Sequence, residues 1–500
     1  MALGELVKAK SPVLLERQYL SSRIEAGALA DTAIVAGLNE NPGSILVVDI
    51  PVQVNSVVMP DNSILILAAQ VTHQAAAGGH MLIPGSACTI LGLGDAGGLN
   101  GNASNNPTQW RAVSCVNKSN VVLEDFFITN TKSAAAYFEG CTDTRTHKLR
   151  ISNVVGTGEY AGGIYVTNCI RHKSSYNLIM DVNTNGIKFR ADTLGLTYGC
   201  SSDHDTIYRA GFIGIANGKC QNHKVTNWYA VDCVDNGVDM NGCYDVVFDG
   251  GTSLRCQDGM YIGENNIDLC SVRNSAAIDC KRAGIGSLGS LTNCTMLDNF
   301  IDRCGSGIYA SGYVGLTIRG NIIRNSSKKT YTDNETGTVK VSTGHGIDIQ
   351  ANLSAAYKTD IISNSFMSNA GYDVHWGVGT VADARMLDND FVNTFGDGKV
   401  YLGSTFTNYQ SKDNRGYRNE ATIVLNLTGD GTAVTFPVSL PFTAANTDYT
   451  VESVVPDWTS TYRVLLASQT TTGFSLEFGT APPAGGTRRV VVRVTGLVQA

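Results

Sequence analysis

Charge is scarce in this 500-residue chain: Asp, Glu, Lys and Arg together make up 16% of it. The formal net charge is −7, and no cluster of Lys and Arg is long enough to track a phosphate backbone. Both facts argue against a nucleic-acid partner. Long apolar runs are missing too, and none approaches the ~20 residues of a membrane span. The first twelve residues lack the apolar centre of a signal peptide, which predicts a soluble protein that is not exported by the usual route. Stretches with the 3.6-residue period of an amphipathic helix are nearly absent; only residues 12–22 and 29–39 qualify. None of the thirteen cysteines forms a Cys-x-x-Cys pair, so no zinc site is expected. Nothing in the composition calls for any other metal or for a cofactor.

What the chain has is a repeat. Glycine, an aliphatic residue, a variable one and another apolar one recur as Gly163-Ile164-Tyr165-Val166, Gly186-Ile187-Lys188-Phe189, Gly237-Val238-Asp239-Met240 and Gly259-Met260-Tyr261-Ile262. The series continues at Gly284, Gly307 and Gly346, with a degraded copy at Gly214. The glycine steps are 23, 28, 23, 22, 25, 23 and 39. A second phrase, Asn-x-large apolar, keeps the same beat at Asn299, Asn321, Asn364 and Asn389. Short apolar alternation between Gly and Asn punctuation means short strands, and one repeat per turn means a stacked solenoid. The fold expected is all-β: a right-handed parallel β-helix followed by a C-terminal antiparallel β-sandwich.

The expected boundaries follow the rhythm. Residues 1–43 form a helical cap or anchor. The β-helix occupies 44–415, with 95–110 as a Gly- and Asn-rich loop and a polar insertion at 326–341. Residues 416–500 form the sandwich, with six strand candidates at 421–427, 432–438, 447–455, 462–468, 472–479 and 488–496. Two cysteine series keep the step of the repeat: Cys233, Cys256, Cys280 and Cys304, and Cys220, Cys243, Cys270 and Cys294. Residues one coil apart stack, so these read as interior ladders of small apolar side chains rather than as disulfides or metal ligands. Free thiols in that number suit a reducing compartment.

Side chains alternate across a strand, so the residue after each core aliphatic points outward. That rule writes one outward ladder: Tyr165, Lys188, Ala216, Asp239, Tyr261, Gly286, Tyr309 and Asp348, with Thr167, Arg190, Asn241, Gly263 and Gln350 at the next outward positions. Glu264 follows its strand. One coil of rise and a few residues of offset place it roughly 6–10 Å from Asp239. Asp203-His204-Asp205, in a turn, is a second titratable cluster and a secondary catalytic candidate. Asp235, Asp258, His345 and His375 read as turn or coil residues.

The Gly-aliphatic-x-apolar coils resemble the pectate-lyase-like right-handed β-helix proteins, and most of all the tailspikes of tailed bacteriophages. Residues 412–421 (KDNRGYRNEA), Trp458 and Thr472-Gly473-Phe474-Ser475-Leu476 are similar to the ends of many phage tail proteins. Asn183-Thr184-Asn185-Gly186 and Gly344-His345-Gly346 resemble pieces of the polygalacturonase pattern, but the first lacks its aspartate, and both read as coil turns. The resemblance implies a homotrimer on a virion tail, joined to the tail or baseplate through its N-terminus and acting on a bacterial surface polysaccharide. On that reading Tyr165, Tyr261 and Tyr309 stack on sugars, and Lys188 and Arg190 hold an anionic group. Asp239 and Glu264 act as the acid and the base or nucleophile of a glycoside hydrolase. A lyase, with Lys188 or Arg190 neutralising a uronate and Tyr261 moving the proton, is the nearest alternative. A tail fibre that binds without cleaving is the other.

Overall fold

The computed structural model describes residues 17–40, 43, 45–106, 108–263, 267–334, 336–350, 356–392, 398–412, 414–415, 420–440, 447 and 449–495. The chain forms two compact units, Met1–Thr295 with Thr330–Val341, and Met296–Lys329 with Ser342–Ala500.

In the first unit each coil carries three short strands. One coil runs Ile164–Thr167, Lys173–Ser175, Leu178–Val182, and the next runs Ile187–Arg190, Ser201–Asp203, Thr206–Ala210. Each strand pairs in parallel with its counterpart one coil on. The register brings like residues together. Ile164, Ile187, Ile215, Val238, Met260 and Ile285 form one continuous interior row, fully or almost fully buried. Burying such a side chain contributes about 1.5–3 kcal/mol, so the stack of coils is held chiefly by its own repetition. The repeat glycine is required by crowding: a Cβ at Gly186 would lie 2.6 Å from the Gly214 carbonyl oxygen and 2.7 Å from Ile207.

Corners between the second and third strands use a left-handed residue. Tyr176, His204, Asn227 and Asn274 all have φ between 50° and 56°, and glycine takes the place at Gly250. Asn tolerates this region because its short side chain bonds locally, whereas Tyr176 and His204 are held there by the coils around them.

The thirteen cysteines are buried free thiols. Their sulfurs also accept backbone amides: the Cys141 N–H donates to Cys169 Sγ and the His172 N–H to Cys200 Sγ, each at 3.3 Å.

Two local expectations are corrected. The described part of the segment expected to be helical at 12–22 is a strand, Arg17–Tyr19, paired in parallel with Ile45–Val48, and a 3-10 turn, Leu20–Ser22. Tertiary pairing overrides its helical pattern; residues 1–16 lie outside the described residues. The helix expected at 29–39 is present as Asp31–Asn39. Residues 95–110 are not only loop: Gly98–Asn100 is a strand that pairs on both sides, hidden by its Gly-rich surroundings.

The second unit continues the same grammar with Asn at its corners. Asn299, Asn321, Asn364, Asn389 and Asn414 are buried, and each of the first four donates both its backbone N–H and its Nδ2 to the Oδ1 of the next, at 2.9–3.0 Å. The Asn phrase in the sequence is this amide ladder. The end of the chain forms two three-stranded antiparallel sheets. One holds Glu420–Thr428, Thr487–Thr495 and Thr450–Pro456; the other holds Thr435–Ser439, Gly473–Phe478 and Tyr462–Thr470. Val438, Phe474, Leu476, Phe478, Val490 and Val492 are buried in one cluster between them.

Candidate functional site

The outward ladder of the first unit has the register that alternation predicts. Tyr165 pairs with Lys188, Lys188 with Ala216, Ala216 with Asp239, Asp239 with Tyr261 and Tyr261 with Gly286. Thr167, Arg190, Gly218, Asn241 and Gly263 form the parallel row beside it. Tyr137, one coil before Tyr165, extends the ladder. Its coil escapes the glycine search because Ala135 stands where the repeat glycine would be.

Exposure is where the expectation is corrected. Tyr165, Tyr261 and Asp239 are buried, Asp239 at 9% exposure. Side chains from turns cover the two tyrosines. The Tyr137 and Tyr165 rings stack at 5.5 Å, and Tyr160 closes on Tyr165 at 4.9 Å. The Arg111 guanidinium sits 3.2 Å from the centre of the Tyr137 ring. The ring left open to solvent is Tyr160, at 38%. Burial raises the phenols of Tyr137 and Tyr165 far above their ordinary range, so both remain protonated donors. The Tyr137 hydroxyl donates to Glu139 at 2.9 Å, and that of Tyr165 to Glu159 at 3.3 Å.

Glu159 is the hub. Its Oε1 also accepts from Lys188 Nζ at 3.2 Å and from Arg190. The basic pair expected to hold an anion is therefore engaged by a carboxylate of the chain itself, which is half-exposed and positioned like a stand-in for that anion. Burial lowers the Lys188 ammonium below its usual range, and the Asp239 carboxylate pulls it part of the way back.

Further along, Arg282 lies 5.1 Å from the Tyr261 ring centre and pairs with Asp258, whose side chain is fully buried. Asp258 does serve its turn, accepting the Ala283 N–H at 2.9 Å, but it also neutralises Arg282. Thr330–Thr332 and Val339–Val341 form an antiparallel hairpin in the polar insertion. Asn334, in its connection, donates to the Val234 carbonyl and to Asp235 at 3.2 Å each. Glu264 lies outside the described residues.

The secondary triplet does not converge. The left-handed φ of His204 turns the corner between Asp203 and Asp205. Asp203 stays near the surface, 3.0 Å from His204 and bonded to Thr226 and Asn227. Asp205 points inward, fully buried, bonded to Ser202 and Asn177.

In the second unit Tyr309 pairs with Asp348, and Asp348 with His375. His345, Asp348 and His375 bring their ligand-type atoms within 4.8 Å of one another, the described group with the makings of a metal or acid–base centre. Read from sequence, Gly344-His345-Gly346 was a coil turn. Only the coil register, which sets His375 beside Asp348, reveals the cluster.

No protein-family model and no curated protein matches the sequence. Solved structures do match in fold. The tailspike protein of Escherichia coli bacteriophage HK620 in complex with a pentasaccharide is 13% identical, with a TM-score of 0.61 over 100% of this chain and 95% of that one. A variant of the same tailspike in complex with a hexasaccharide gives 13% identity and a TM-score of 0.60 over the same shares. A doubly substituted variant gives 0.62, again at 13% identity. At this identity the likeness establishes the fold, an all-β parallel solenoid.

Proposed function

We propose that the chain is a phage tailspike that binds a bacterial surface polysaccharide, capsule or O-antigen, and cleaves it by glycosidic hydrolysis. The observation that carries this reading is the outward ladder from Tyr137 to Tyr261, where stacked rings, Arg111, Lys188, Arg190 and the carboxylates of Glu159 and Asp239 share one face. From Tyr165 to Tyr261 the ladder climbs four coils, about 19 Å, room for an oligosaccharide. Tyr160 offers the open ring, with Tyr137 and Tyr165 behind it as packed support; Tyr261, four coils on, and Tyr309, on the second unit by itself, are proposed as separate sugar contacts. A substrate carboxylate or other anion displaces Glu159 from Lys188 and Arg190. Solved tailspikes of the same fold hold penta- and hexasaccharides, which supports a saccharide ligand.

Asp239 and Glu264 are the acid and the base or nucleophile in this proposal. Asp239→Asn and Glu264→Gln keep shape and remove the ionisable group, so cleavage falls by ~10²–10⁴ while glycan binding persists. Wild-type cleavage by both variants overturns the pair. If ultraviolet absorbance of an unsaturated sugar rises with cleavage, the lyase reading replaces the hydrolase. Tight binding without new reducing ends leaves a binding fibre. The proposal includes a homotrimer, made in the host cytoplasm and carried on the virion tail through its N-terminal segment, since closed symmetry buries the flanks of a solenoid. Light scattering at the 53.1 kDa of one chain overturns the trimer.

A further inference from the structure

The second unit holds a buried carboxylate, Asp348, that no described Lys or Arg contacts. Asp348 is fully buried, and the groups bonded to it are His375 Nδ1 at 2.9 Å, Gln350 Nε2 at 2.6 Å and the Thr343 hydroxyl at 3.1 Å. A buried carboxylate is costly unless its lone pairs are served, and three side chains serve this one. The surroundings are shaped for the cluster. A Cβ at Gly377 would lie 2.4 Å from Gln350 Oε1, and one at Gly371 would lie 2.2 Å from His345 Nδ1. The His375 ring is sandwiched between His345 at 4.3 Å and Tyr401 at 4.9 Å, nearly parallel to both.

These bonds fix the tautomers. A carboxylate only accepts, so His375 Nδ1 carries its proton toward Asp348, and the lone pair of the neutral ring is on Nε2. No described residue hydrogen-bonds to that Nε2, and the side chain is 18% exposed. His345 Nδ1 accepts the Tyr372 N–H at 2.9 Å, which puts the His345 proton on Nε2. A metal ion coordinated by His345 would need a nitrogen lone pair that this bond already occupies. The cluster is thus built as an oriented base: a buried Asp holding an imidazole with its basic nitrogen outward.

We propose that His375, positioned by Asp348, is the general base of a second active site, one that hydrolyses carboxylic esters borne on a saccharide. Glycosidic hydrolysis needs two carboxyl groups at the bond, and among the described residues the carboxylate bonded to this imidazole is sealed behind it. Thr343 and Ser306 bond to each other and lie on the Asp348 side, so water is the nucleophile. His375 Nε2 takes a proton from water as the water oxygen bonds to the ester carbonyl carbon. The bond from that carbon to the sugar oxygen then breaks, and the leaving oxygen takes the proton from Nε2. The products are a carboxylic acid and a sugar hydroxyl, with no redox change. Tyr401, 41% exposed, and Tyr372 supply ring surface beside the base.

The saccharide carrier rests on the function proposed above; the ester chemistry does not. The test uses the full chain with 4-nitrophenyl acetate and with an O-acetylated polysaccharide, following acetate release. The wild type is expected to release acetate from both. His375→Gln should lose it by ~10²–10⁴, while His147→Gln, a histidine remote in the coil sequence, keeps it. Asp348→Asn, which leaves the imidazole in place but loosens its orientation, should lower kcat and leave KM near its wild-type value. If this variant fails to fold, the partly exposed His375→Gln decides alone. Release from neither substrate, or release unchanged in His375→Gln, overturns the proposal. Activity abolished by a chelator and restored by zinc overturns it in favour of a metal site. Cleavage of 4-nitrophenyl acetate alone overturns the saccharide carrier, whatever happens to glycosidic cleavage at Asp239.

Discussion

Asp205 accepts two hydrogen bonds from Asn177, one coil earlier: the backbone N–H and the side-chain Nδ2 both reach Oδ1 at 2.9 Å. It occupies the corner position that Asn177 occupies in the preceding coil, with full burial and an ionisable group. Burial raises its pKa to about 6, against the lowering effect of these bonds and of Ser202. An unfolded Asp titrates near ~3.9. Between about pH 4 and pH 6 the unfolded chain therefore sheds a proton that the folded chain keeps, and stability falls as pH rises through that window. Asp205→Asn, with Nδ2 turned to Ser202, should leave stability at pH 4 unchanged and raise it at pH 7 by about 2–3 kcal/mol. Thermal melts at the two pH values check this; equal melting at pH 7 refutes it.

Asn364→Ala removes one rung of the amide ladder in the second unit. The Asn321 N–H and Nδ2 lose their acceptor in a buried site. Each orphaned donor costs about 1–3 kcal/mol. Because solenoids unfold slowly, the readout is the unfolding rate in denaturant, which should rise at least tenfold.

The thirteen buried thiols predict inertness. All thirteen are sealed from a reagent by the coils, and at Cys115 and Cys220 burial also raises the thiol well above its ordinary range, which suppresses the reactive thiolate. A thiol reagent should label none of them in the native protein and all after denaturation. A reducing agent should leave the melting temperature where it was.

Tyr160→Ala should weaken glycan binding at least tenfold and leave the fold intact, because the open face of this ring is what a sugar meets. Glu159→Gln should strengthen binding of an anionic glycan and leave a neutral one unaffected, since Lys188 and Arg190 lose their internal competitor. Isothermal titration with both glycans separates the two effects.

Arg282→Ala strands the buried Asp258 carboxylate and should destabilise by about 3–5 kcal/mol. Arg209→Ala breaks an equally well-formed pair with Asp181 on the surface and should leave the unfolding rate unchanged. Parallel unfolding traces of the two variants test the contrast.

The coil register was legible because in a solenoid the residue one period away is the residue in contact. Gly163, Gly186 and Gly259 marked strands whose pairing could be counted off, and the six C-terminal strands were bounded by turns. The covers were not legible. Arg111, Glu159, Tyr160 and Asn334 come from turns that share no sequence with the repeat, so nothing in the period places them over Tyr165 or Asp235. His204 and Asp205 show the same limit: adjacency in sequence suggests a shared site, and one left-handed residue points the side chains apart. Asp348 and His375, 27 residues apart, meet only through the register.

Each asparagine rung offers its neighbours the same face: two donors toward one side, one shared acceptor toward the other. Any rung can therefore follow any other, as bricks of one mould can be laid in any order. Length in such a body is counted in whole courses. Removing a complete coil brings two matching faces together, whereas removing a few residues leaves a rung that meets nothing. The ladder can lengthen or shorten through evolution in steps of one turn, with its own bonds re-formed between any two rungs.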